Sequence, residues 1–145
     1  MKKLLLLLLS TLYISSYAQS TPDYPSELST ALDTLKYYDT LRDRIIPIAI
    51  YKSKEKNKEY NIPILLNHGW GQNKGGDYLL YSYLAVCLAT QGYTVISIQH
   101  EQTNDPMLAM EGNFIETRMP NWQQGVKNIE MVLQQLKKRL SLSTV

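Results

Sequence analysis

Two short apolar runs, Ile62–Leu66 and Thr94–Ile98, are separated by a glycine-rich polar loop and one helix-length segment. That spacing constrains the fold more than any other feature of the chain. An unbroken apolar run flanked by polar residues suits a strand buried on both faces. The loop runs from Asn67 to Gly76, and Asp77 is placed to cap a helix over Tyr78–Gln91. Leu80, Leu84, Cys87 and Leu88 fall on one face of that helix, and Gly92 supplies its stop. Cys87 is therefore expected as a buried, inert thiol. Strand, helix and strand at this spacing predict a parallel βαβ unit with a right-handed crossover.

The flanks extend the pattern. In Ile45–Tyr51 the residues Ile46, Ile48 and Ile50 recur at period two around Pro47, which predicts an edge strand lacking one ladder donor. The charged stretch Lys52–Asn61 reads as a solvated hairpin loop. After Gln99 a loop of about twenty residues is long enough to suggest a lid or binding segment. A helix restarts at Asn121 with Gln124 as its capping-box partner. Its apolar face runs through Trp122, Val126, Ile129, Leu133, Leu136 and Leu140, and Lys137, Lys138 and Arg139 suit its C-terminal dipole. Gly125 weakens this helix by about 1 kcal/mol relative to Ala. Such a helix normally crosses back to another strand, yet Ser141–Val145 are too few to form one. The expectation is a chain that stops mid-unit, leaving an open sheet edge through which copies can self-associate.

The N-terminus opens with Lys2 and Lys3, runs apolar from Leu4 through Ile14, and reaches the small residues Ser16 and Ala18. This is the order of a secretory signal peptide, with cleavage expected after Ala18. The run falls short of the roughly 20 apolar residues of a membrane span, so no stable span is expected. The parts expected are thus a signal peptide at 1–18, an N-terminal arm at 19–41 covering the sheet, and one α/β domain at 42–145. Losing Lys2 and Lys3 reduces the 15 basic residues to 13, equal to the 13 acidic ones. A neutral mature chain gives no electrostatic case for nucleic acid. A single cysteine rules out an internal disulfide, leaving stability to the packed core.

The loop after the first run reads His68-Gly69-Trp70-Gly71. Placed between a buried strand and a helix, with GYTVISIQHE at 92–101 as the next strand, it resembles the α/β-hydrolase superfamily. The likeness is strongest to esterases and lipases of the dienelactone hydrolase and platelet-activating-factor acetylhydrolase type, and it covers roughly Arg42 to Leu140. It implies a partial hydrolase fold, a mostly parallel sheet with crossover helices that ends before the nucleophile-elbow strand. It also implies a small-molecule or lipid ester as substrate and no cofactor or metal. Acyl transfer builds a negative oxygen, which needs backbone N–H donors aimed at it in advance. By this resemblance the Trp70 N–H is the first donor of an oxyanion hole, Gly69 and Gly71 let the backbone approach, and His68 braces the loop through its ring nitrogens.

A dinucleotide site is a rival for the same loop. Gly69, Gly71 and a following helix begin a GxGxxG pattern, and Glu101 could hold a ribose. But Lys74 takes the third glycine position and Glu101 lies about thirty residues on instead of about twenty. No GxSxG occurs in the 145 residues, so no nucleophile is available. Ser82 and Ser97 fall inside elements. His100 with Glu101 and Asp105 close in sequence could form a base and its orienting acid, although the resemblance gives that position a flanking role. Glu111, Glu116 and Arg118 can pair with one another or line a lid. Two classes follow: an exported serine ester hydrolase whose catalytic half is missing, so that these residues alone are inactive, or a non-catalytic binding or scaffold domain keeping the loop.

Overall fold

The computed structural model describes residues 29–55, 59–60 and 62–142, with side chains up to Lys138. The expected signal peptide at 1–18 and most of the expected arm lie outside them. Four strands, β1 (Thr30–Asp39), β2 (Arg44–Ser53), β3 (Pro63–Asn67) and β4 (Thr94–Ile98), form one sheet in the order β1-β2-β4-β3. A 3-10 turn at Asp77–Leu79 and helix α1 (Ser82–Thr90) link β3 to β4, and helix α2 (Phe114–Leu142) follows β4.

β3 and β4 are parallel, as the βαβ spacing predicts, with Leu65 opposite Ile96. β1–β2 and β2–β4 are antiparallel. The architecture is therefore α/β with a mixed sheet, which corrects the mostly parallel sheet expected from the resemblance. The period of two in β2 sorts the two cores. Ile46, Ile48, Ile50, Ile96 and Ile98 point to one face, where Val132 of α2 closes over them. Ala49, Tyr51 and Val95 point to the other, against Ala85, Val86 and Ala89 of α1. Helices thus cover both faces, and each fully buried Ile or Val contributes about 1.5–3 kcal/mol.

Several local expectations give way to tertiary context. Residues 30–39 belong to the sheet as β1 instead of lying over it, pairing with β2 along its whole length. β2 is consequently interior, and β2 and β3 do not form the expected hairpin because β4 lies between them. Pro47 is tolerated because its carbonyl accepts from the Gln99 N–H at 2.9 Å, one step past the last registered β2–β4 pair, Ile48 with Ile98. Its missing donor therefore falls where the ladder has already ended. β3 is the edge strand, half-buried instead of covered on both faces. It has no partner on its outer side among the described residues.

The helices shift in a similar way. The Asp77 side chain makes no cap, and the turn it opens is preceded by Gly76 at φ 83°. The buried face of α1 is Ala85, Val86 and Ala89, so Leu80, Leu84 and Cys87 are exposed. Small residues win that face because they let the helix approach the sheet closely. Gly92, at φ 103°, does end the helix. α2 begins seven residues before Asn121: the Asn113 side chain accepts from the Ile115 N–H at 3.2 Å, and the Asn113 carbonyl from the Thr117 N–H. Pro120 is carried within the helix. Asn128 and Val132, both fully buried, define the inward face, leaving Trp122 and Val126 about half exposed.

Candidate functional site

Because β3 and β4 run parallel with Asn67 opposite Ile98, the loops leaving them emerge side by side. The carboxyl ends of parallel strands are where α/β sheets place ligands. His68 and His100 leave those ends with ring centroids 5.5 Å apart. The His100 backbone N–H donates to His68 Nε2 at 3.0 Å, and His68 Nδ1 lies 2.6 Å from the Gly69 carbonyl. A carbonyl only accepts and an amide N–H only donates, so His68 carries its proton on Nδ1 and is neutral. His68 thus contacts the Gly69 carbonyl through one ring nitrogen and the His100 N–H through the other.

The next turn is held by carboxylates. Glu101 accepts from the Gly71 N–H at 2.9 Å, which spends the group considered for a ribose. A Cβ on Gly71 would sit 2.0 Å from Asp77 Oδ1, whereas one on Gly69 would meet nothing within 4 Å. The two glycines of HGWG are thus unlike: Gly71 makes room for the protein's own Asp77, and Gly69 faces open space. Gln99, nearly fully buried, accepts from the Tyr78 N–H at 3.2 Å and donates to Asp77 and to the Glu101 carbonyl. Gln72 and Asn73 both have φ near +57°, and Asn73 anchors this turn by donating to the Asp105 carbonyl at 2.7 Å. Among the described residues, the backbone N–H of Trp70 donates to nothing. The N–H groups of Gly69, Gln72 and Asn73 likewise donate to no described residue, so the loop carries several open donors between its anchors.

His100 is not placed as a base. Its Nε2 donates to Asn67 Oδ1 at 2.7 Å, and its Nδ1 is buried without a partner, facing Gly125 of α2. Burial, then the neighbouring His68 and Arg44, pushes its pKa down to about 4. Neither Glu101 nor Asp105 bonds the ring. Asp105 instead pairs bidentately with the buried Arg44 at 2.6 and 2.7 Å, and also accepts from Gln124 at 2.9 Å. That contact, not a capping box, is the role of Gln124. Burial alone would raise the Asp105 pKa, but the hydrogen bonds and charge of Arg44, with those of Gln102 and Gln124, hold it below the usual value. Arg44 also donates to the His100 carbonyl, as does Asn128, whose Oδ1 accepts from Arg42 at 2.9 Å.

Neither histidine bonds a serine, threonine or cysteine among the described residues. Ser97 is buried in β4, and Ser82 opens α1. Glu111 and Glu116 are exposed and do not pair with Arg118, which donates to the Ala109 carbonyl and lies over the Phe114 ring. No group of three or more potential metal ligands occurs among the described residues, and no helix there is long and apolar enough to cross a membrane. Sequence reasoning missed the Arg44–Asp105–Gln124 cluster and the contacts of Asn67, Gln99 and Asn128. The available signal was a polar residue ending each parallel strand and an asparagine on the apolar side of α2. Comparison of the chain with protein-family models, curated proteins and solved structures returned no match.

Proposed function

We propose that residues 68–71 form the first half of an oxyanion hole in an exported serine-type ester hydrolase, the Trp70 N–H being the donor. The observation that carries this reading is the position of the Trp70 N–H, one of several open donors of the loop, at the carboxyl end of β3 between the His68 brace and the Glu101–Gly71 bond. Donors fixed in advance stabilise a developing oxyanion without reorganising during the reaction. Substrate would be a small-molecule or lipid ester. The serine, acid and histidine come from outside these residues, since no GxSxG is present in them.

The test has two parts. The coding sequence read in frame past Val145 should give a β-branched strand and GxSxG, then an acid and a histidine. A protein extended to include them should hydrolyse activated esters with saturation and be blocked by a serine-directed phosphonate. The 145 residues alone should not turn over. Saturable, phosphonate-sensitive turnover by the 145 residues would refute the missing-nucleophile reading, and a downstream frame without these elements would refute the hydrolase reading. A second reading, a non-catalytic binding or scaffold domain, is favoured by one fact: neither histidine bonds a hydroxyl or thiol among the described residues.

A further inference from the structure

The ends of β3 and β4 are joined by two reciprocal bonds. His100 reaches back through its ring to Asn67 Oδ1, and His68 reaches across through its ring to the His100 backbone N–H. The His68 side is sensitive to its protonation state in a way that a serine or asparagine brace would not be. Its Nδ1–H must face the Gly69 carbonyl and its Nε2 must keep a lone pair for His100. A second proton can go only on Nε2, where it would oppose the His100 N–H and turn an attraction into a repulsion.

From the end of β4 the His100 ring faces His68, and from β2 the Arg44 guanidinium is bonded to the His100 carbonyl. The nearby carboxylates are each committed elsewhere: Glu101 to the Gly71 N–H, Asp77 to Gln99, and Asp105 to Arg44, Gln102 and Gln124. On the loop itself Lys74 is exposed, and α2 presents Gly125 and the amide of Asn128 towards residue 100. Among the described residues no carboxylate bonds the His68 ring.

We propose that the His68–His100 clasp is an acid-released latch: neutral His68 pins residues 68–70 to the end of β4, and one proton on its Nε2 lets them go while Gly71 stays bonded to Glu101. Its consequence for ester chemistry rests on the oxyanion reading, but the latch itself is read from the loop and can fail or hold independently of any hydrolysis. Release would carry the Trp70 N–H out of position while leaving the two cores, which His68 does not enter, intact.

The experiment follows the whole chain by nuclear magnetic resonance from about pH 8 to about pH 4.5, the range in which imidazoles take up protons. At the upper end the His68 ring should show the Nδ1–H tautomer. On acidification the amide resonances of Gly69 and Trp70 should shift reversibly along one single-proton curve that coincides with His68, while those of β2 stay. His68→Gln offers an uncharged amide oxygen near the position of Nε2, so its loop should keep native shifts and lose the transition. His68→Ala should show the released loop already at the upper pH. An Nε2–H tautomer in the native protein, no loop transition, or an unchanged transition in His68→Gln would each overturn the latch. Should the Gln variant not fold, the tautomer and the native titration decide.

Discussion

Gly71→Ala should destabilise the fold far more than Gly69→Ala, although both glycines belong to the same tetrapeptide. A Cβ on Gly71 would lie 2.0, 2.3 and 2.4 Å from Oδ1, Cγ and Oδ2 of Asp77, distances at which something must move. The Asp77 side chain can swing away only by giving up its bond from Gln99 Nε2 at 3.1 Å. Holding Asp77 in place costs about 1–3 kcal/mol of overpacking, and turning it away instead leaves a buried Gln99 donor unpaired at a similar cost of about 1–3 kcal/mol. Restricting the unfolded chain returns about 0.4–1 kcal/mol, leaving a net loss of about 1–2 kcal/mol. At Gly69 there is nothing within 4 Å and no left-handed backbone, so alanine should be neutral or stabilising by up to about 1 kcal/mol. Urea unfolding of the purified chain measures both, and an m-value of about 1 kcal/mol/M puts the Gly71→Ala midpoint about 1–2 M lower. Asp77→Ala removes the obstacle, so adding Gly71→Ala to it should cost under about 1 kcal/mol. Equal midpoints for the two alanine variants, or no relief in the Asp77→Ala background, would refute the steric argument.

Three further outcomes are expected. Arg44→Met should cost about 3–5 kcal/mol in the same assay, because Asp105 is left buried without its cation; a loss under about 1 kcal/mol would show the pair to be dispensable. His100, at about 4 in the fold against its ordinary 6.5, takes up a proton earlier when unfolded, so its contribution is whole above that ordinary value and is lost as pH falls towards 4. The loss amounts to about 3 kcal/mol at most, and His100→Gln should flatten the stability profile between about pH 6.5 and 4.5; an unchanged slope would count against it. Cys87, exposed on α1, should react fully with a disulfide reagent in the native state, whereas protection until unfolding would contradict its placement.

What could be read from the residues in order was what local chemistry controls. The β-branched run Thr94–Ile98 gave β4 at its observed bounds, Gly92 gave the helix stop, and the spacing gave a parallel β3–β4 pair. The isoleucines of β2 declared one buried face through their period of two. Strand order was beyond such reasoning, because it depends on which distant strand pairs with which. β1 was missed because an edge strand buries little: only Leu35 and Tyr37 of it pack on the core. Once β1 and β4 flank β2, the same proline that marks an edge by local rules pairs with Lys36 of β1 and lies just beyond the registered β2–β4 pairs.

The site divides along the same line. His68, Gly69, Trp70 and Gly71 were found together because a strand-to-loop tetrapeptide carries its own signal, but what holds them comes from residues about thirty positions away, His100 and Glu101. Helix faces were decided by partners as well: periodicity offered leucines on α1, and the close approach of the sheet chose alanines, turning Cys87 outward. On α2 the apolar count favoured Trp122 and Val126, while Asn128 was drawn inward by Arg42 and the His100 carbonyl. A side chain's period states that a helix or strand has two sides; which side is buried is fixed by the shape and unpaired polar groups of whatever packs against it, and only the folded chain supplies those.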